Sequence, residues 1–143
     1  MKVYEAGIII GSVPIVQIML KDFKEMKLDV TLRSALLESL LTMAEVALDK
    51  IEYLEGSKIV FSIESGKITN FSGTEQIIIA YAIVEKVPKF EKLLSSDFKP
   101  RLRYLLNEFI EIYEGRMYSE VSQYEHFKIN LITTFGLLSE EVI

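Results

Sequence analysis

The sequence predicts a small α+β domain of three layers, in which a sheet is covered by helices on both faces. Two short apolar segments carry this prediction, residues 6–10 and residues 77–84. A strand with one face in water alternates apolar and polar residues, so a strand without alternation must be covered on both faces. One long amphipathic segment lies between these strands and two more follow them, which supplies helices for both faces.

The composition indicates one domain, which we expect to span residues 1–143. The chain is half hydrophobic and carries 16 Lys and Arg against 21 Asp and Glu, for a net charge of −5. This balance argues against nucleic-acid binding, because phosphate contacts supply most of that affinity. The absence of cysteine excludes disulfides, thiolate metal ligands and a cysteine nucleophile. Without a cationic leader or an apolar segment of about 20 residues, we expect a cytoplasmic protein.

The first two elements are predicted to form a β-hairpin. Residues 2–10 have the pattern of a strand, and Gly11 and Pro14 mark a tight turn after it. The second arm, residues 15–20, has a mixed pattern. Because Pro14 cannot donate to a sheet ladder, we expect this arm to be an edge strand. Residues 21–29 are predicted to be a polar connector.

A long amphipathic helix is predicted over residues 31–50, which contain no Gly or Pro. At 100° per residue its polar side chains fall on one narrow stripe, and apolar residues occupy roughly 240° of the remaining arc. A helix that lies on one sheet needs an apolar stripe only somewhat wider than about 100°. The surplus apolar residues are Leu37, Leu41 and Leu48. We expect these three leucines to contact a protein partner.

The second half of the chain is predicted to supply three strands and two helices. Residues 51–55 and 58–64 read as two strands that meet near Gly56, or as one bent strand. Turn-like residues at 65–67 and 71–74 precede the buried strand. One helix is predicted from an N-cap at Asp97 to Gly115, after a short helical turn at 89–94, and the last helix over about 119–135. The inward residues of this last helix are predicted to be Val121, Tyr124, Phe127, Leu131, Phe135 and Leu138.

The sequence contains no recognisable catalytic or metal-binding pattern. His126 is the only histidine, and it lies beside Glu125 with no second histidine at ligand spacing. A phosphate-binding loop would need Ser or Thr after Gly66 and Lys67, where Ile68 stands. We therefore expect no enzyme activity, no catalytic residues, no metal and no cofactor.

The segment 85–103 is more basic than the rest of the chain. It has six cations and three acids, so it carries +3 while the remainder carries −8. It is interpreted as a contact surface for an acidic partner or anionic lipid headgroups, or as an ordinary solvated surface. The second interpretation is favoured, because clusters that recruit membranes are usually denser. Arg101 and Arg103 are its candidates for a secondary partner contact.

Four patterns of hydrophobicity and turns suggest a family. They are the hairpin at 11–15, the beginning of the first helix at 28–37, its end at 50–54, and the closing helix from 125–127 to 135–137. In these patterns and in its order of elements, β-β-α-β-β-β-α-α, the chain resembles longin domains over nearly its whole length. It is similar to small archaeal members of the longin and roadblock group. Roadblock domains begin with a helix, so longin-like is the better description.

The resemblance implies both a topology and a class of function. The sheet would have five antiparallel strands, with the first helix on one face and the other two helices on the opposite face. The first and fifth strands would be central in it. The protein would be a non-enzymatic interaction platform, a homodimer or heterodimer that binds a small GTPase, a GTPase regulator or a homologous longin or roadblock subunit of a trafficking complex. We expect no nucleic acid as a partner and at most peripheral membrane contact.

A PAS-like small-molecule sensory domain is the alternative function. Helices packed on a five-stranded antiparallel sheet also occur in such ligand-binding modules. This function needs a cavity between helix and sheet, lined by residues such as Tyr53 or Tyr81.

A charge at Leu41 tests the partner contact predicted for the first helix. We expect Leu41→Glu to abolish association while the monomer stays folded, because the charge would be buried only in the complex. Light scattering after size-exclusion chromatography measures association, and circular dichroism measures folding. Unfolding of the variant would show that Leu41 belongs to the core.

Overall fold

The computed structural model describes residues 1–25, 35, 38, 39, 42 and 52–143. Five strands form one antiparallel sheet: β1 (Val3–Ile10), β2 (Val13–Met19), β3 (Tyr53–Glu55), β4 (Ile59–Thr69) and β5 (Glu75–Glu85). Their order across the sheet is β2-β1-β5-β4-β3. The predicted α+β fold is confirmed, and the first and fifth strands both lie inside the sheet.

Most described helical segments are short. Helix α1 (Lys21–Glu25) follows β2. After β5, α2 (Phe90–Leu93) and a π-helical turn (Leu94–Phe98) lead into α3 (Lys99–Tyr113), the longest described helix. A 3₁₀ helix (Val121–Phe127) then leads into α4 (Lys128–Thr134), and a short 3₁₀ turn (Ser139–Glu141) lies near the C-terminus.

Strand β5 contributes to two hydrophobic cores, one on each face of the sheet. Ile78, Ala80, Ala82 and Val84 belong to the larger core, which α2, α3 and α4 cover, whereas Ile77, Ile79, Tyr81 and Ile83 belong to the smaller one. Successive side chains of a strand point to opposite faces, so an uninterrupted apolar segment supplies both. The predicted double burial of this strand is confirmed, since residues 78–84 are all fully buried.

A β-bulge explains the mixed pattern of β2. Val16 pairs with Ile8 of β1 and Pro14 pairs with Ile9, so Ile15 is the extra residue. Ile15 and Val16 consequently both enter the larger core. Strand β2 is an edge strand, as predicted from Pro14.

The connector predicted at 21–29 is wrong for its first five residues. They form α1, whose Phe23 is buried and stacks on the ring of Tyr4 with 5.2 Å between ring centroids. The burial of Phe23 in the smaller core stabilises this short helix through tertiary packing. Of the long helix predicted at 31–50, the structure describes residues 35, 38, 39 and 42, which are helical and exposed.

The turn predicted at 65–67 is wrong, because β4 continues through Gly66 to Thr69. The glycine serves packing instead. A Cβ atom at Gly66 would lie 3.1 Å from Cδ2 of Leu106, so its absence lets α3 approach the strand closely. The structure also resolves the alternatives before this point, since β3 and β4 are two antiparallel strands.

Asp97 does not begin a helix. The π-helical turn joins α2 to α3 without a break, and the Asp97 carboxylate accepts a contact from Nε of Arg101 at 2.9 Å. The end predicted at Gly115 is confirmed, since its φ of +85° favours glycine.

The last predicted helix is divided into a 3₁₀ helix and α4. Of its predicted inward residues, Val121 and Leu138 are exposed. Helix α4 ends at Thr134, and Gly136 with φ of +64° turns the chain away, so Leu138 no longer continues the helical stripe. The other four predicted inward residues are buried: Tyr124, Phe127, Leu131 and Phe135.

Two glycines of the sheet should respond differently to alanine. A Cβ at Gly7 would lie 2.7 Å from the backbone oxygen of Val16 and 2.9 Å from the ring of Tyr81, whereas a Cβ at Gly66 would have a side-chain atom, Cδ2 of Leu106, as its nearest neighbour at 3.1 Å. We expect Gly7→Ala to lower the free energy of unfolding by about 1–2 kcal/mol and Gly66→Ala to change it by less than about 0.5 kcal/mol. Urea denaturation measures both, and equal values would contradict this packing.

Candidate interaction surfaces

The basic segment at 85–103 is largely paired within the chain. A guanidinium nitrogen of Arg103 donates to the carboxylate of Glu64 on β4. Arg101 contacts Asp97 and also donates from Nη1 to the carbonyl oxygen of Thr134, 3.3 Å away at the end of α4. The two arginines therefore connect α3 to different neighbours, one to the sheet and one to the last helix.

Two lysines of this segment contact the β3 end of the sheet. Nζ of Lys86 lies 2.5 Å from the carboxylate of Glu55 and 3.2 Å from the carbonyl oxygen of Gly56. Nζ of Lys99 lies 3.4 Å from the carboxylate of Glu52. Four of the six cations in the segment thus have partners inside the chain, which lowers the net positive potential that the segment offers to an acidic partner.

Glu64 and Arg103 form the least exposed of the described ion pairs. The side chain of Glu64 is 8% exposed and that of Arg103 is 49% exposed. A buried carboxylate is costly unless it is paired and hydrogen-bonded, so Arg103 has a structural role as the partner of Glu64. About half of the Arg103 side-chain surface remains accessible to solvent.

A buried polar pair lies on the opposite face of the sheet. The hydroxyl of Tyr81 donates to the carboxylate of Glu5 at 2.5 Å, and both side chains are buried. The ring of Tyr81 lies across Gly7, where no side chain intervenes. Tyr81, one of the two predicted cavity residues, is therefore packed and hydrogen-bonded within the core.

Tyr53, the other predicted cavity residue, lines a small polar cleft. Its ring packs edge-on against Phe90, with 5.4 Å between ring centroids. The cleft holds about 40 Å³, whereas pockets for drug-sized ligands hold roughly 300–1,000 Å³. Its lining residues are Glu52, Tyr53, Ser62, Glu91, Leu94, Ser95 and Lys99.

Three exposed apolar side chains gather at one end of the sheet. Phe71 in the β4–β5 turn is 63% exposed, Met117 after α3 is 46% exposed, and Val13 at the start of β2 is 41% exposed. These three residues, called the tip patch below, line an open cavity of about 210 Å³. The other residues around this cavity are Ile10, Asn70, Gln76, Tyr118 and Ser119.

Local hydrogen bonds hold the turn that presents Phe71. The carboxamide oxygen of Asn70 accepts bonds from the backbone nitrogens of Ser72 at 3.0 Å and Thr74 at 2.9 Å. The backbone nitrogen of Phe71 itself donates to the carbonyl oxygen of Arg116 at 3.1 Å. Because its backbone is fixed in this way, Phe71 is presented to solvent on an ordered turn.

Two buried tyrosines support the segment that carries Met117. The hydroxyl of Tyr124 donates to the carbonyl oxygen of Met117 at 3.1 Å, and that of Tyr118 lies 2.9 Å from the carbonyl oxygen of Thr69. Burial raises the pKa of both phenols, that of Tyr124 to about 12. Both hydroxyls therefore stay protonated as donors throughout the physiological pH range.

The structure places the predicted contact residues only in part. Arg101 and Arg103 lie on opposite flanks of α3, and Leu37, Leu41 and Leu48 lie outside the described residues. Sequence reasoning missed the tip patch, because its members are 104 residues apart at the extremes. The only local signal was an aromatic residue, Phe71, in a turn of small polar residues.

No family model, curated protein or solved structure matches the chain. Within the described ranges, no three His, Asp or Glu side chains are grouped so that they could hold a metal ion. None of the helices in the same ranges combines the length and apolar character needed to cross a membrane.

The ion pair of Arg103 and Glu64 can be measured by a double-mutant cycle. We expect Arg103→Gln alone to lower the free energy of unfolding by about 1–2 kcal/mol, because it leaves the buried carboxylate unpaired. Adding Glu64→Gln should recover part of this loss. The exposed pair of Lys67 and Glu75 is the matched control, with an expected coupling below about 0.5 kcal/mol. Equal couplings in the two cycles would contradict a structural role for Arg103.

Proposed function

We propose that this protein is a longin-like interaction domain, non-enzymatic, which forms a homodimer or heterodimer and binds a small GTPase, a GTPase regulator or another trafficking-complex subunit. The tip patch is the observation that carries a binding function. Exposed apolar side chains grouped around an open cavity are typical of protein–protein contact sites. Aromatic residues and methionine, represented here by Phe71 and Met117, are enriched in such interfaces.

The topology supports the longin-like part of the proposal. The strand order places the first and fifth strands inside the sheet, and α3 and α4 pack on the same face. A shared topology is an analogy and carries no functional residue with it. Leu37, Leu41 and Leu48 stay predicted contact residues, and Arg101 and Arg103 stay a predicted secondary surface.

The cavities beside Tyr53 and at the tip patch favour a protein partner over the small-molecule alternative. The cleft beside Tyr53 is far below the usual volume of a ligand pocket, and the cavity at the tip patch is open and also below it. Tyr81, which a sensory domain would direct toward a ligand, is hydrogen-bonded to Glu5 in the core.

Affinity capture in two nucleotide states tests the GTPase part of this proposal. The full-length protein is used as bait in a lysate of its source cell, once with GDP and once with a non-hydrolysable GTP analogue, and mass spectrometry identifies what is retained. Enrichment of a small GTPase or its regulator in one state would support the proposal. Recovery of the bait alone in both states would count against it and would favour a ligand screen.

Substitution of Phe71 tests the tip patch itself. We expect Phe71→Ser to weaken binding of the captured partner by at least about 10-fold, because aromatic residues at the centre of an interface carry much of its binding energy. Tyr104→Ser is the matched control, since Tyr104 is an aromatic residue of similar exposure, 56%, on α3. Isothermal titration calorimetry measures both variants. Equal losses, or a loss for Tyr104→Ser alone, would place the contact elsewhere.

A further inference from the structure

The outer edge of β4 is open over part of its length. Strand β3 pairs with β4 only at residues 60–62, although β4 extends to Thr69. Beside residues 64–68, no other residue that the structure describes forms a strand on this side. Ser65 and Gly66 are partly exposed and Lys67 is exposed, so solvent reaches this edge.

Two flanking hydrogen bonds show which backbone groups point outward. The nitrogen of Ile63 donates to the carbonyl oxygen of Glu52 at 3.3 Å, and the carbonyl oxygen of Thr69 accepts from the nitrogen of Gly115 at 2.8 Å. Alternate residues of an antiparallel strand direct both backbone groups to the same side. Ser65 and Lys67 therefore direct their N–H and C=O groups outward, and no backbone group in the described part of the chain bonds to them.

The other edge of the sheet, formed by β2, is protected against the addition of another strand. Strand β2 has a bulge and Pro14, and its end is covered because the nitrogen of Ile143 donates to the carbonyl oxygen of Met19 at 2.9 Å. Strand β4 instead pairs with β5 in one unbroken register from Ile59 to Thr69. A regular, unprotected edge is a template for another strand.

Helix α3 forms one wall beside this edge. Arg103 contacts Glu64, Leu106 packs over Gly66, and residue 115 contacts Thr69, so α3 runs in the same direction as β4. At 100° per residue, Ile110 lies on the same flank of the helix as Arg103. An added strand would place every second side chain beneath this flank.

The position that a further strand would occupy along the outer edge of β4 is blocked at both ends. Glu52 occupies it opposite Ile63, and Gly115 occupies it opposite Thr69. The distance along β4 from Ile63 to Thr69 is six residue steps, about 20 Å, and the five residues between them leave room for four or five residues of another chain. A second copy of this protein could not enter with its own β4, because that strand has eleven residues and would collide with Glu52 or Gly115.

We infer that this slot, residues 64–68 of β4 between Glu52 and Gly115, binds a short extended peptide of a partner protein as a sixth strand. Backbone groups of Ser65 and Lys67 supply the main-chain hydrogen bonds. An apolar side chain of the peptide fits beneath the flank of α3, beside Ile110 and above Gly66, which has no side chain of its own. The slot is therefore specific for an extended peptide that has at least one apolar side chain facing α3.

This inference deepens the proposed binding function, but it concerns a surface separate from the tip patch. Binding at the slot and binding at the tip patch can therefore be disproved independently of each other. Phe71→Ser should leave peptide binding at the slot unchanged, and loss of the outward N–H of Ser65 should leave binding at the tip patch unchanged.

Amide hydrogen exchange of the free protein is the first part of the test. The amides of Ser65 and Lys67 should exchange at least about 100-fold faster than those of Glu64 and Gly66, which point toward β5 in the same strand. Equal protection would overturn the inference, because the slot would then already be filled by the chain itself. Protection that rises with protein concentration, together with a dimer mass by light scattering, would overturn it in favour of a second copy.

Peptide selection is the second part. Linear peptides of twelve random residues displayed on phage are selected on the full-length protein and then synthesised. We expect them to slow exchange at Ser65 and Lys67 by at least about 10-fold and to lose at least about 10-fold in affinity with Ser65→Pro, which removes an outward N–H. Ser65→Ala, which keeps that N–H, should change affinity by less than about 2-fold.

Two further results would overturn the inference. One is the failure of the selection to enrich any peptide. The other is enriched peptides that protect amides elsewhere and bind Ser65→Pro as well as the unaltered protein. If Ser65→Pro does not fold, Lys67→Pro against Lys67→Ala makes the same comparison at the second outward residue.

Discussion

The structure depends on the burial of β5 on both faces and both edges. The strand lies at the centre of the sheet, pairs with β4 over its whole length and with β1 over most of it, and its alternating side chains enter two separate cores. Apolar surface is removed from water on each side, so neither of the two cores is optional for stability. The positions of α3 above β4 and of Phe23 below β1 follow from this requirement.

Charged side chains mostly consolidate this arrangement. Glu64, which lies on the α3 side of the sheet, is paired with Arg103, and Glu5 on the other face accepts a hydrogen bond from Tyr81. A carboxylate in such a place is tolerated only with a partner, so both pairs specify which element packs where. The basic segment that contains Arg103 has its main described contacts within the fold.

Both proposed binding surfaces lie where the requirements of the core end. The tip patch lies at turns beyond the sheet. The proposed slot lies where β3, three residues long, ends beside its eleven-residue neighbour β4 in the described part of the chain. Both features present groups that the fold leaves exposed, apolar side chains in one case and backbone polar groups in the other. A protein partner is the occupant proposed for each, since the cavities at the tip patch and beside Tyr53 are small for a small-molecule ligand.

The sequence by itself determined the α+β class, the double burial of β1 and β5, the edge position of β2 and the end of α3 at Gly115, because these depend on local periodicity and on single Gly or Pro residues. Only the tertiary structure decided that Gly66 lies within a strand, that Arg103 pairs with Glu64, and that residues of the tip patch meet. These depend on contacts between segments far apart in the chain, which local patterns do not encode. The burial of a strand can be predicted from a short segment of sequence, whereas a surface patch is formed by several segments that only the fold brings together.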